Sequence, residues 1–515
     1  MQLSNGLTIM KKQIISITLF LAGSVGMLTS CENWLDATSG SEIRAEDHFT
    51  TVEGFRQALI GCYIGMTDAT LYGQDMSWLI PEVLGRQFEP YTLYSSVTRE
   101  YYLQNYSYGV TSAKEFIDGS WAKAYNVIVN ANEALEYIDR NREVLNDTDY
   151  SVIKGELLAI RAYLHFDLAR MFGYGNWAAR KAEIDSRNAV PYVTTVSKNL
   201  TPQVSMSEFF TLLTDDLTQA EQLLKAEDPI AGAHEWSYYS ELNEGGFYDW
   251  RNLHLNYYAV RALQARVYMW EGSAASKELA RTAAEEVISG FLAMDGKIGN
   301  NNHFAWMTSG DVPSYPALAL EQIFALNVAT LRELTTEYYV ENYMDSDYAA
   351  LYLVPDDVQT IYEGITSDWR SQLNLLAQTV SGASKAGYTS KKYNQTSALS
   401  YYGNRVPLIR LPEMYYIAAE CYATGATPDL SLAMERLNTV REKRGIYTPL
   451  ENLDAEGVME EIAKEYRKEF LGEGVMFYFY KRLGYTTIPH LTETMDDAKY
   501  VVPYPDFEVQ MGRVQ

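Results

Sequence analysis

Apolar residues recur at steps of three and four along several parts of the chain, which is the period of one buried face of an α-helix. One such series begins at Trp121 and ends at Ile138, and a second runs from Ile153 to Met171. Small residues beside the second series favour a close helical neighbour, so we expect these two helices to form an antiparallel hairpin. The small residues are Gly155, Ala159, Ala162 and Ala169. The same period predicts further helices over 52–66, 206–224, 253–270 and 276–289.

The segment from Pro407 to Gly484 predicts three more helices with short joints. Pro412 suits a first helical turn, where no amide hydrogen is needed, and Thr427-Pro428 repeats this start signal. The third helix is predicted to begin at Asp454 and to end at Gly472. The fold class that follows is mainly α, with about eight core helices arranged in hairpins.

Two long stretches, 67–112 and 291–404, lack this period and are rich in aromatic residues. Loops of such length are uncommon unless they have a function. We therefore expect long irregular loop insertions beside the helical core, and we expect these two stretches to lie next to each other. The helices before residue 290 and after 405 must then pack together to close one solenoid.

Three phrases in the C-terminal segment resemble the signature of the SusD/RagB family, the surface lipoproteins of nutrient-uptake systems in Bacteroidetes. They are IRLPEMYYIAAE from Ile409, NTVREKRG from Asn438 and KEFLGEG from Lys468. The phrase that begins at Gly155, GELLAIRAYLHFDLARMFGYGN, is similar to the family's N-terminal half. The resemblance implies tetratricopeptide-like helical hairpins. An unrelated all-helical protein is the alternative, and the apolar run Val475 to Tyr480 departs from the polar pairing of many relatives.

The first 30 residues predict a targeting segment. Lys11 and Lys12 precede an apolar run, Ile14 to Leu28, that is shorter than a membrane span, and small residues then lead to Cys31. The pattern resembles a bacterial lipoprotein signal, which implies a signal peptide over 1–30 and acylation of Cys31. A plain secretory signal is the alternative. Residues 31–515 are predicted to form a single domain, with an N-terminal half (31–290), an insertion (291–404) and a C-terminal helical part (405–515).

Charge and motifs exclude several functions. The 67 acidic and 42 basic residues give a net charge of −25 without any basic block, so nucleic acid is not an expected partner. The six histidines form no HExxH motif, no GxSxG elbow is present, and we expect no enzyme activity, cofactor or metal. A pair of carboxylates for glycan hydrolysis is defined only in space and stays open. Cys62 and Cys421 either pair or, as their apolar surroundings favour, stay buried as thiols.

Aromatic residues of the two irregular stretches are the candidate ligand contacts. A Tyr or Trp ring stacks on the C–H face of a sugar or on an apolar peptide side chain. The predicted ligand-binding residues are Trp78, Arg86 (as a polar clamp), Tyr91, Tyr94, Trp306, Tyr338 and Trp369. For each ring, burial in the core is the alternative.

The family resemblance implies a glycan-binding lipoprotein, anchored by its N-terminal lipid to the outer membrane and facing the cell exterior. Such a protein passes an oligosaccharide to a SusC-like TonB-dependent transporter. Peptide capture within the same kind of uptake system is the alternative, followed by a glycan hydrolase.

Overall fold

The computed structural model describes residues 45–91, 98–299, 302–339, 351–373, 375–379, 386–393 and 402–515. The chain divides into two units, Met1–Thr50 and Thr51–Gln515. The described residues of the first unit hold one short helix, α1 (Ala45–His48). The predicted signal peptide and Cys31 lie outside the described residues.

The second unit is mainly α-helical, as the sequence predicts. Its helices in chain order are α2 (Val52–Met66), α3 (Ile80–Leu84), α4 (Arg99–Gln104), α5 (Thr111–Arg140), α6 (Asp147–Phe172), α7 (Lys181–Ile184), α8 (Met206–Glu227), α9 (Trp236–Leu242), α10 (Tyr257–Glu271), α11 (Ala274–Gly290), α12 (Leu331–Tyr339), α13 (Pro355–Tyr362), α14 (Arg370–Leu373), α15 (Leu411–Thr424), α16 (Leu430–Lys443), α17 (Ala455–Phe470), α18 (Met476–Leu483), α19 (Asp497–Tyr500) and α20 (Asp506–Gln510). In the part of the chain that the structure describes, nine of these have 14 or more residues, close to the eight expected.

Consecutive long helices pack against each other in one series. Helix α5 packs on α6, α6 on α8, and α10 on both α8 and α11. Helix α11 then packs on α15, which also contacts α16 and α17. The predicted packing between the helices before residue 290 and those after 405 is therefore confirmed.

One of the small residues of α6, Gly155, serves a different neighbour from the one expected. A Cβ atom on Gly155 would lie 2.8 Å from Cγ of Leu224, so this glycine permits the close approach of α8. The helices α5 and α6 do pack together. Gly155 therefore supports the packing of α6 on α8. The sequence did not identify this neighbour, because periodicity locates an apolar face without showing which helix covers it.

Four strands form two small antiparallel sheets. Strand β1 (Gln322–Asn327) pairs with β4 (Arg405–Arg410), and β2 (Leu375–Thr379) pairs with β3 (Ala386–Ser390). The pairing of β1 with β4 joins the two ends of the insertion, with Asn327 opposite Arg405. Strand β4 leads directly into α15, whose Pro412 lies in the first helical turn as predicted.

The two stretches predicted to be irregular contain regular elements. Helices α3 and α4 lie in the first, and α12, α13, α14 and three strands lie in the second. These elements are short, so the helical period had too few turns to be visible. The predicted proximity is confirmed: the Tyr339 hydroxyl donates to the carbonyl of Trp78 at 3.1 Å, and the Glu89 amide donates to the carbonyl of Tyr352 at 2.8 Å.

Both described cysteines, Cys62 and Cys421, are buried free thiols, which favours the second of the two sequence alternatives. Burial raises the pKa of each thiol to about 12. Among the described helices, none combines the length and the apolar character that crossing a bilayer requires.

Candidate functional site

Three of the predicted contact residues come together where the first irregular stretch meets the insertion. The Trp78 ring lies 5.5 Å from Tyr338 and 5.6 Å from Tyr339, measured between centroids. Trp78 is fully buried, and its indole N–H donates to the carbonyl of Gly73 at 2.9 Å. Tyr338 and Tyr91 are half-buried and present partial surfaces. Trp78 therefore supports this region from inside.

Arg86 is buried and binds backbone carbonyl groups, so it does not act as a polar clamp at an open surface. Its guanidinium donates to the carbonyl oxygens of His490 at 2.8 Å and Gln104 at 2.7 Å, and Gln104 also bonds the backbone of Tyr91. Arg86 itself has φ of 50°. These bonds join the first irregular stretch to the C-terminal segment. Tyr94, the remaining predicted contact in this stretch, lies outside the described residues.

Trp306 and Trp369 belong to a second group of rings. The Arg444 guanidinium lies over both indoles, 5.7 Å from the Trp306 centroid and 5.1 Å from that of Trp369. Trp369 is buried, and its indole N–H donates to the carbonyl of Lys443 at 3.0 Å. Trp306 is half-buried and packs on Tyr415 of α15, with centroids 5.2 Å apart.

Further rings extend this second group, and sequence reasoning did not single them out as contacts. Tyr402 and Trp369 share one hydrophobic cluster, against which Trp250 and Tyr315 pack. The Tyr402 ring lies 4.9 Å from Tyr315 and 5.7 Å from Trp250. Trp250 and Tyr315 are half-buried, as Trp306 is. We call the set Trp250, Trp306, Tyr315, Trp369 and Tyr402 the aromatic surface cluster.

A buried ion-pair network lies behind this cluster. Arg444 pairs with Glu321 at 2.6 Å and with Glu469 at 2.8 Å, and Arg410 pairs with Glu469 at 2.7 Å. Burial would raise the pKa of Glu469, but the guanidinium groups of Arg444 and Arg410 hold it well below its ordinary value. The network also includes Arg370, Glu465 and Glu473.

The network joins the three signature phrases. Arg410 belongs to IRLPEMYYIAAE, Arg444 to NTVREKRG, and Glu469 to KEFLGEG. The spacing of charges along α17 predicts ion pairs of Glu465 and Glu469 with Arg467 or Lys468. Lys468 does pair with Glu465 at 3.1 Å, but Glu469 faces Arg370, Arg410 and Arg444, because residues one or two apart point to different sides of a helix.

One group of side chains has donor types that a divalent cation accepts. Glu89, Asp357 and His490 each offer one ligand atom, and these atoms lie within 4.8 Å of one another. His490 Nε2 lies 3.3 Å from Asp357 Oδ1. Burial tends to raise the pKa of Asp357, but the contact with His490 lowers it. The contact between Asp357 and His490 brings two of the three ligand atoms together.

Two family models together match most of the chain. The family described as "Starch-binding associating with outer membrane" matches residues 33–240, and the one described as "SusD family" matches residues 355–504. Among curated proteins, the SusD-like proteins P25 and P38 of Formosa agariphila are 27% and 28% identical over 169 and 210 residues. These matches cover 32% and 41% of this chain, and 31% and 37% of the relatives. The chain thus spans about a third of the length of the curated relatives that it matches.

Solved structures share the fold over nearly the whole chain. A SusD superfamily protein from Bacteroides thetaiotaomicron is 19% identical with a TM-score of 0.69, covering 90% of this chain and 99% of its own. A SusD-like carbohydrate binding protein from Bacteroides vulgatus is 17% identical with a TM-score of 0.65, covering 90% and 97%. With the two profile matches and the shared signature phrases, the chain belongs to the SusD/RagB family.

Proposed function

We propose that this protein is a non-catalytic glycan-binding lipoprotein of the outer membrane that captures oligosaccharides at the aromatic surface cluster. The observation that carries the proposal is the set of half-buried rings in this cluster. Trp250, Trp306 and Tyr315 are each half-buried as whole residues, and another aromatic ring packs against each of them. Such rings stack on the C–H faces of sugars without any catalytic group.

Rigid support favours binding by these rings. The Arg444 side chain packs against Trp306 and Trp369 and is itself held by two buried carboxylates, Glu321 and Glu469. A ring that is already ordered loses little conformational freedom when a ligand binds. The buried network therefore preorganises the surface that faces the ligand.

Delivery to a SusC-like TonB-dependent transporter, and anchoring through a lipid on Cys31, are parts of the same proposal. Family membership supports the transporter partner. The basic start, apolar run and small residues before Cys31 support the lipid anchor. Co-purification of the full chain with the co-expressed transporter tests the partner, and mass spectrometry of the N-terminal peptide tests acylation.

Ligand binding is tested by calorimetry on soluble protein that begins after Cys31, with plant, host and microbial glycans and a peptide mixture. We expect saturable glycan binding that weakens at least about fivefold in Trp306→Ala, because a stacked ring contributes on the order of 1–3 kcal/mol. Incubation with the bound glycan should release no product.

Tyr150→Ala is the matched control for Trp306→Ala. Tyr150 is also a half-buried aromatic residue, but it lies on α6 and not in the aromatic surface cluster. We expect this variant to bind as the wild type does. Binding of peptides alone would replace the glycan by a peptide ligand, and an unchanged affinity in Trp306→Ala would remove this cluster as the site.

A further inference from the structure

Arg405 differs from the other deeply buried arginines that the structure describes. Arg405 is 2% exposed, yet none of its three guanidinium nitrogens has a hydrogen-bond partner among the residues that the structure describes. Arg251, Arg370, Arg410 and Arg444 are equally buried, and each forms ion pairs with carboxylates. A buried charge without a partner is unfavourable, so its retention calls for a reason other than stability.

The surroundings of Arg405 are aromatic. Its guanidinium carbon lies 4.7 Å from the Tyr402 ring centroid and 5.2 Å from that of Trp250. Burial lowers the pKa of Arg405 to about 10, although the nearby Tyr402 acts in the opposite direction, and the guanidinium is still charged at neutral pH. The backbone of Arg405 is fixed by strand β4, opposite Asn327 of β1. The cation is thus held at a defined position in the aromatic surface cluster.

We propose that Arg405 is the recognition site for a carboxylate group on the ligand, and that the protein therefore selects oligosaccharides that contain a uronic acid. This inference rests on the proposed function. A guanidinium has N–H donors in a planar fork that matches a carboxylate through two hydrogen bonds. The adjacent rings favour a sugar as the carrier of that carboxylate, because they can stack on the pyranose ring.

The half-buried Trp250 is the outer neighbour of Arg405 and the entry point for the ligand. The nitrogens of Arg405 lie below the surface in the ligand-free protein. A carboxylate reaches them when the Trp250 indole turns aside, and the indole then packs on the bound sugar. The formal charge of −25 repels anions at long range, so selection of an acidic ligand depends on a local cation such as Arg405.

The test compares an acidic ligand with its neutral twin. Calorimetry is run with oligogalacturonides and glucuronate-bearing xylo-oligosaccharides, each as the free acid and as the methyl ester, which removes the charge and keeps the ring. We expect the wild type to prefer the acid by at least about tenfold, because hydrogen bonds to charged groups are strong. The preference should vanish in Arg405→Met and weaken in Arg405→Lys, which keeps the charge but not the fork.

Stability gives a second readout. Arg405→Met removes an unpartnered buried charge while keeping an unbranched side chain, so the melting temperature of the ligand-free protein should stay equal or rise. A large fall in melting temperature would assign Arg405 a structural role and overturn the proposal. The comparison of acid with ester in the wild type needs no variant, so a variant that does not fold leaves the proposal falsifiable.

The remaining outcomes separate this inference from the proposed function. Equal binding of acid and ester, or a preference that persists in Arg405→Met, overturns the inference and leaves glycan capture intact. Binding of neutral glycans alone also overturns the inference and leaves glycan capture intact. Binding of an acidic peptide without any glycan, or no binding at all, overturns both.

Discussion

The guanidinium of Arg444 forms two parallel hydrogen bonds with the carboxylate of Glu469, from Nε to Oε2 at 2.9 Å and from Nη2 to Oε1 at 2.8 Å. Both side chains are fully buried. The pair links the end of α16 to α17, and through Arg444 it also supports Trp306 and Trp369. These two residues of the signature phrases therefore contribute both to the stability of the core and to the position of the candidate ligand surface.

Replacing Glu469 by Gln should destabilise the protein strongly. The change leaves Arg410 and Arg444 buried with less compensating charge, and breaking one partner of a buried pair costs about 3–5 kcal/mol. Urea denaturation measures this loss in the free energy of unfolding. Glu136→Gln, which breaks the exposed pair with Arg140, is the control and should cost less than about 1 kcal/mol. Similar losses in the two variants would contradict the role of the network.

Gly474 in the phrase KEFLGEG should not tolerate a side chain. Its φ is +72°, and a Cβ atom there would lie 1.9 Å from the carbonyl oxygen of Ser77. Gly474→Ala should therefore lower the free energy of unfolding by more than about 2 kcal/mol.

Gly512→Ala separates the two causes of this loss. Gly512 has a similar φ of +66°, but a Cβ atom there meets nothing within 4 Å. This control should lose only about 1 kcal/mol, from backbone conformation alone. If Gly474→Ala were no worse than Gly512→Ala in thermal and urea unfolding, the close approach to Ser77 would not matter.

His165 should make stability depend on pH. Burial lowers the pKa of His165 from 6.5 to about 3, although the hydrogen bond between its Nδ1 and the carbonyl of Arg161, at 2.8 Å, acts in the opposite direction. Its Nε2 accepts from the amide of Val193 at 2.9 Å, which requires the neutral ring. Between these pH values the unfolded chain binds a proton that the folded chain does not. Stability from His165 is therefore complete above pH 6.5 and falls with decreasing pH, by up to about 1.4 kcal/mol per pH unit.

His165→Gln tests this contribution, since Gln does not titrate. Glu156 and Glu465, whose pKa values are lowered to about 2, add their own loss of stability below pH 4.5. The difference between variant and wild type should therefore be read between pH 6.5 and 4.5, where it should shrink as pH falls. His303→Gln, at an exposed position, should leave the slope unchanged. A slope that is the same in all three proteins would show that His165 does not titrate as described.

Trp78 and Trp306 should differ in what they support. Trp78 is fully buried, so Trp78→Ala should cost about 3–5 kcal/mol of stability. Trp306 is half-buried, so Trp306→Ala should reduce glycan affinity with a smaller loss of stability. Paired melting and binding curves for the two variants check this. A large melting shift in Trp306→Ala, or none in Trp78→Ala, would reverse the assignment.

Local patterns predicted the helical core well. Helix α2 has the predicted bounds, 52–66. Asp454 is the N-cap of α17, and its side chain accepts from the Gly457 amide at 2.9 Å. Such features depend on residues a few positions apart, which the sequence displays directly. Strand β4 escaped notice because it is six residues long, contains Pro407, and pairs with β1 about 80 residues earlier.

The candidate site was predictable as a region and only partly as residues. Aromatic composition located the irregular stretches, and Trp306 is half-buried, so its role in ligand binding stays a prediction. The full burial of Trp78, however, depends on Tyr338, Tyr339 and Tyr393, all more than 250 residues away. Nothing near Trp250 or Arg405 in sequence signals that they meet. Contacts across such separations arise only once the chain has folded.

The antiparallel pairing of β1 with β4 has an evolutionary consequence. The chain leaves the helical core after Asn327 and re-enters it at Arg405, its direct cross-strand partner. The departure and return points are adjacent, so the intervening stretch can lengthen, shorten or be exchanged without displacing the helices on either side. Evolution can therefore change what the protein binds by replacing the sequence between Asn327 and Arg405, while selection on the rest of the molecule stays unchanged.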